Sequence, residues 1–136
     1  DWRGAVLGWE GACQVMRVYK AGELWGECRL ALAGEHNARN ALAAIAVADA
    51  LGAEPSAIAE ALQTFPGVRR RLEVFHEARG VTFVDDFAHH PTAIRETIRA
   101  ARSRWAGAHL SVLFEPRSNT TVTRRFQGEL AESFAG

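Results

Sequence analysis

Hydrophobic and polar positions change their period along this chain, and the changes mark out its elements. From residue 24 to 32, Leu24, Gly26, Cys28, Leu30 and Leu32 alternate with Trp25, Glu27, Arg29 and Ala31. A period of two is the mark of a half-buried strand, because successive side chains point to opposite faces. Ala21-Gly22-Glu23 supplies a turn, and residues 14–19 supply a partner strand with less regular alternation, so 13–32 predicts a hairpin. Residues 36–51 hold seven alanines with Leu42, Ile45, Val47 and Leu51. That segment predicts a helix that is apolar nearly all round and therefore buried. Gly52 stops it. Pro55 suits the first turn of a second helix, whose stripe is Ile58, Leu62 and Phe65 and whose end is Pro66-Gly67.

The pattern then changes. Residues 72–75 and 81–84 read as strands around a turn at 77–80. Residues 91–105 read as a helix with Ile94, Ile98, Ala101 and Trp105 on its apolar face. Arg95, Glu96, Arg99 and Arg102 lie on its wet face. Residues 110–114 form a second apolar strand, and Phe126, Leu130 and Phe134 suggest a last helix. The expected architecture is α/β: a hairpin and helix pair, a boundary near residues 68–73, then a βαβα unit. In that unit, strands 81–84 and 110–114 lie adjacent and parallel with a right-handed crossover. The polar loops 85–92 and 115–120 then share one edge of the sheet, where ligands of such folds gather.

Composition narrows the class. The chain has 136 residues, 48% hydrophobic and 24% charged, which is globular. Sixteen basic and sixteen acidic residues cancel, so whole-chain charge argues for neither nucleic acid nor a membrane surface. No apolar run approaches the ~20 residues of a membrane span. The first residues, Asp1-Trp2-Arg3-Gly4, have no signal pattern and no initiator Met, so the sequence reads as an excised piece. Cys13 and Cys28 are not in Cys-x-x-Cys spacing and read as reduced, structural thiols in a cytoplasmic protein. Trp2, Trp9, Trp25 and Trp105 read as packing residues.

The chemistry concentrates in three places. Asp85-Asp86-Phe87-Ala88-His89-His90-Pro91-Thr92 crowds four titratable groups between a strand and a helix start. The carboxylates suit ribose hydroxyls or the water around a divalent cation. The plainer reading is that one of them caps the following turn. Adjacent histidines lack zinc spacing, so one imidazole is expected on a substrate and the other in a capping or bracing role. Gly34-Glu35-His36-Asn37-Ala38-Arg39-Asn40 opens the first helix, whose positive end favours an anion or polar ligand. Asn37 is either a ligand contact or the N-cap. Asn40 is a poor interior residue among alanines and suits an adenine edge, since a carboxamide both donates and accepts. Arg69, Arg70 and Arg71 offer forked donors for phosphate or form a solvated linker. Arg117 and Ser118 suit a carboxylate or an exposed turn. A Gly-x-x-x-x-Gly-Lys-Ser/Thr phosphate loop is absent from the sequence.

The ordered motifs 34–44, 70–73 and 85–92 resemble those of the Mur ligases, ATP-dependent amide-forming enzymes of bacterial peptidoglycan synthesis. The Glu115-Pro116-Arg117-Ser118-Asn119-Thr120 loop is similar to that of the peptide-adding branch. The alanine-adding branch usually has a His-Arg type loop there, and Tyr-Gly in place of Phe87-Ala88. The resemblance implies that residues 1–68 are the tail of a central ATPase domain. Residues 69–136 are then the first part of a truncated Rossmann-like C-terminal domain. It implies ATP and magnesium as cofactors, and UDP-N-acetylmuramate and a murein tripeptide as partners, joined through an acyl phosphate. It gives His36, Asn37 and Asn40 to adenine and Asp86 to ribose. Catalytic roles fall to Arg71 at the phosphates and His90, with His89, Arg117 and Ser118 facing the peptide. The phosphate loop, the main metal ligands and the sugar domain are expected elsewhere in the enzyme. The alternatives are part of an alanine-adding ligase of the same family, a bare nucleotide-binding module, or an interaction domain using the arginine run.

Overall fold

The computed structural model describes residues 1–116 and 127–135. The chain divides into two compact units, Asp1–Gly67 and Val68–Gly136.

The first unit opens with a three-stranded antiparallel sheet in the order β1 (Trp2–Glu10), β2 (Cys13–Lys20), β3 (Glu23–Leu30). The expected hairpin is β2–β3: Lys20 pairs with Glu23 across Ala21-Gly22, with φ of 52° and 90°. Two positive φ values make the primed turn whose twist matches the strands. β1 was not expected. Its two glycines break the alternation, and a bulge sits between Val6 and Gly8, so pairing with β2 makes it a strand rather than its own pattern. β2 is therefore central, and Gln14, Val15, Met16 and Val18 are all buried. Helices α1 (Glu35–Ala50) and α2 (Pro55–Thr64) cover the sheet. Met16, Val18, Cys28 and Leu30 meet Ala38, Ala41, Ile45 and Ile58 in one core. Removing a buried side chain of Ile45's size costs about 2–5 kcal/mol.

One expectation is corrected here. α1 is not buried all round: Val47 is 60% exposed and the following Leu51 81%. Its fully buried stripe is Ala38, Ala41 and Ile45, with Leu42 and Ala48 partly buried beside it. An apolar face shows what could be covered, and burial requires a neighbour to cover it.

The second unit has β4 (Glu73–Ala78) and β5 (Val81–Asp85), an antiparallel hairpin turning at Arg79-Gly80. Helix α3 (Pro91–Arg104) follows, with Pro91 in its first turn and Ile94, Ile98 and Ala101 buried as expected. Helix α4 (Gln127–Ser133) lies against α3, and the Phe114 and Phe134 rings stand 5.4 Å apart. Residues 110–114 do not form the expected strand. They carry no regular structure, and Leu113 is fully exposed. Parallel strands lie in sheets covered on both faces, and no such sheet forms around 110–114 among the described residues. The α/β class holds.

Candidate functional site

The first cluster sits at the start of α1. Gly34 has φ 98° and ψ 150°, a backbone region essentially confined to glycine. Its N–H donates to Oε1 of Gln14 at 2.8 Å, and its carbonyl accepts the N–H groups of Asn37 and Ala38 at 3.1 Å. A buried carboxamide from β2 therefore fixes where the helix begins. Asn37 does not cap the helix: no side chain does, and its Nδ2 donates to the Ala33 carbonyl at 2.7 Å. His36 is half-buried with Nδ1 enclosed. Asn40 is exposed, and its carboxamide makes no hydrogen bond among the described residues.

The second cluster lies where β5 ends. Asp86 is half-buried and accepts three hydrogen bonds. Oδ2 takes the Leu72 N–H at 2.8 Å, and Oδ1 takes the Ala88 N–H at 2.7 Å and the Thr97 hydroxyl at 3.2 Å. It caps its own turn, as the plainer reading had it, and it also ties in the segment before β4. A carboxylate has about four lone-pair sites, so one remains for a further donor. Asp85 pairs with the Arg70 guanidinium at 3.2 Å, and that guanidinium lies 4.8 Å over the Phe87 ring. The exposed pair itself contributes little, about 0–1 kcal/mol, so its effect is geometric.

The two histidines use Nδ1 in opposite senses. His89 Nδ1 lies 2.9 Å from the Phe87 carbonyl, which can only accept, so Nδ1 holds a proton. His90 is the N-cap of α3, and its Nδ1 accepts the Thr92 N–H at 3.4 Å. Both rings thus have local partners, and both remain exposed. Arg69 and Arg71 are exposed, and no hydrogen bond or ion pair fixes Arg71 among the described residues. Arg117 and Ser118 lie outside the described residues. No group of three or more metal-ligating side chains forms among the described residues.

Residues 70–136 match the model of the Mur ligase glutamate ligase domain. The chain belongs to the Mur ligase family. It is 43% identical over 124 residues to the UDP-N-acetylmuramate–L-alanine ligase of Roseiflexus sp., covering 87% of this chain and 26% of that protein. It is 49% identical over 113 residues to the UDP-N-acetylmuramate–L-alanyl-γ-D-glutamyl-meso-2,6-diaminoheptanedioate ligase of Escherichia coli, covering 82% and 25%. The solved UDP-N-acetylmuramate–alanine ligase of Thermotoga maritima aligns with a TM-score of 0.79 and 32% identity, over 90% of this chain and 27% of that one. The chain thus spans about a quarter of the length of the curated relatives it matches. Its structural neighbours give it the Rossmann-like fold of Mur ligase C-terminal domains.

Within this Mur ligase chain, sequence reasoning singled out Asn40, Asp86 and Arg71 but missed the residues that hold their surroundings. Gln14 and Thr97 had no motif signal, and Arg70 and Glu73, though inside the 70–73 motif, were given no separate role. For Gln14 the sequence did hold a clue, a polar side chain at an inward position of a central strand.

Proposed function

We propose that this chain is part of a murein peptide ligase, a cytoplasmic bacterial enzyme of peptidoglycan recycling. It would join L-alanyl-γ-D-glutamyl-meso-diaminopimelate to UDP-N-acetylmuramate. ATP would supply the phosphoryl group that activates the sugar's carboxylate as an acyl phosphate, which the peptide's amine then attacks.

The observation that carries the reading is Asn40. It is an exposed carboxamide, without an internal partner among the described residues, on a helix otherwise built for packing. A donor and acceptor on one planar group match an adenine edge. His36 and Asn37 stand beside it in the first turn. Arg71, exposed and unpaired among the described residues, suits phosphate oxygens. Asp86 retains capacity for a ribose hydroxyl. The outward edges of His89 and His90, with Arg117 and Ser118, would meet the peptide. Each of these groups, taken by itself, has the chemistry of one part of a nucleotide. Magnesium's main ligands would come from elsewhere in the enzyme.

The alanine-adding branch is the second reading, favoured by the Roseiflexus and Thermotoga relatives. Giving the full-length enzyme UDP-N-acetylmuramate, ATP and either tripeptide or L-alanine separates the two. Product only with L-alanine would reject the peptide-adding branch. Asn40→Ala in the same enzyme is expected to raise the KM for ATP about three- to tenfold, the value of one lost hydrogen bond, and Asp86→Ala should raise it too. Unchanged ATP kinetics in both variants would remove the nucleotide assignment.

A further inference from the structure

Arg69, Arg70 and Arg71 are chemically alike, but the fold treats them differently. Arg70 is held at three points: its N–H donates to Glu73 Oε2 at 2.7 Å, its guanidinium Nε pairs with Asp85, and its carbonyl accepts the Phe87 N–H at 2.9 Å. Leu72 is buried, and its N–H donates to Asp86. Both residues sit in the left-handed region, with φ of 58° and 49°. Side chains rarely adopt that conformation, and it persists only where surrounding contacts fix it. Between these two pinned residues stands Arg71, exposed and with no ion pair among the described residues. The backbone that bears it has little freedom, while its charge has no ion pair among the described residues.

We propose that Glu73, Asp86 and Thr97 are positioning residues for Arg71. The inference rests on the reading of Arg71 as a phosphate-facing cation. Glu73 fixes Arg70 from the side of β4. Asp86 fixes Leu72, and Thr97 on α3 fixes Asp86 by donating to Oδ1 at 3.2 Å. The backbone from which the guanidinium projects is thereby set before substrate arrives, which reduces the reorganisation left for the moment of reaction. Asp86 thus has a second duty beside the ribose, and its remaining lone pair permits both.

Thr97→Val removes the hydroxyl and keeps the shape. Glu73→Ala removes the acceptor, and Glu73→Gln restores one through its carbonyl. In the full-length ligase, Thr97→Val and Glu73→Ala should each lower kcat about three- to tenfold with the KM for ATP within about twofold. Glu73→Gln should recover most of the loss. In an Arg71→Ala background, which alone should cost more, neither variant should lower kcat further, because residues acting through one group are not additive. A full additional loss in that background, or an unmoved kcat in both single variants, overturns the proposal while leaving the site reading intact. An Arg71→Ala enzyme with normal kcat overturns the site reading and this inference together. Glu73 is on the surface, so its variants report even if Thr97→Val fails to fold.

Discussion

At the scale of single residues, Gly34 bears the sharpest constraint. Its φ and ψ belong to glycine, and both its backbone groups are engaged. Gly34→Ala should destabilise the first unit by about 1–3 kcal/mol. Urea or thermal unfolding of the chain measures this, and an unshifted midpoint would mean the helix start is not locked there. The glycine was visible in the sequence as part of a motif, but its reason was not. The Gln14 carboxamide that receives its N–H lies twenty residues away. Asp86 has the same lesson. A capping role was legible from Asp before a short loop, whereas its bond to the Leu72 amide, fourteen residues back, was not. Local chemistry can be read along a chain; partners brought together by folding cannot.

At the scale of elements, the α1–sheet junction contains the clearest electrostatic node. Asp49 on α1 accepts from Lys20 Nζ at 2.7 Å and from the Trp25 indole at 3.2 Å, and Trp25 meets Trp2 edge-on. The Lys20 hydrogen bond holds the Asp49 carboxyl below its ordinary value of 3.8, with partial burial opposing it and the Trp25 bond assisting. A carboxyl depressed in the folded state binds protons more readily when unfolded. Its stabilising contribution is therefore complete above about pH 4 and lost as pH falls through the lowered value. Thermal melts at neutral pH should show Asp49→Asn less stable than wild type, and the gap should close below about pH 4. A gap independent of pH would assign the effect to packing. Burial of the Cys28 thiol pushes its pKa upward, which fits an inert core thiol. Helices were legible here because their periodicity is local. β1 and residues 110–114 were misjudged in opposite directions for one reason, since a strand exists only where another strand pairs with it.

At the scale of the whole molecule, the boundary near residue 68 followed from a change of hydrophobic period, and the structure divides after Gly67. What composition could not convey is how much surface each unit leaves open. Phe75 and Phe83 stand 6.1 Å apart on β4 and β5, and both remain exposed. The chain alone is expected to form no amide bond. Mixed with ATP, UDP-N-acetylmuramate and either amine donor, it should release phosphate at the background rate, because the proposed function leaves the phosphate loop and the sugar domain to the rest of the enzyme. Turnover above background would show that this quarter of a Mur ligase carries a complete active centre.

The two-stranded hairpin of the second unit has a further consequence. Among the described residues β4 pairs only with β5, so within them neither outer rim of backbone donors and acceptors has a strand partner. Such rims are templates for another strand, and two strands alone are marginal in water. Within those residues the hairpin thus has the form onto which a further strand adds, with the exposed Phe75 and Phe83 supplying apolar surface beside it.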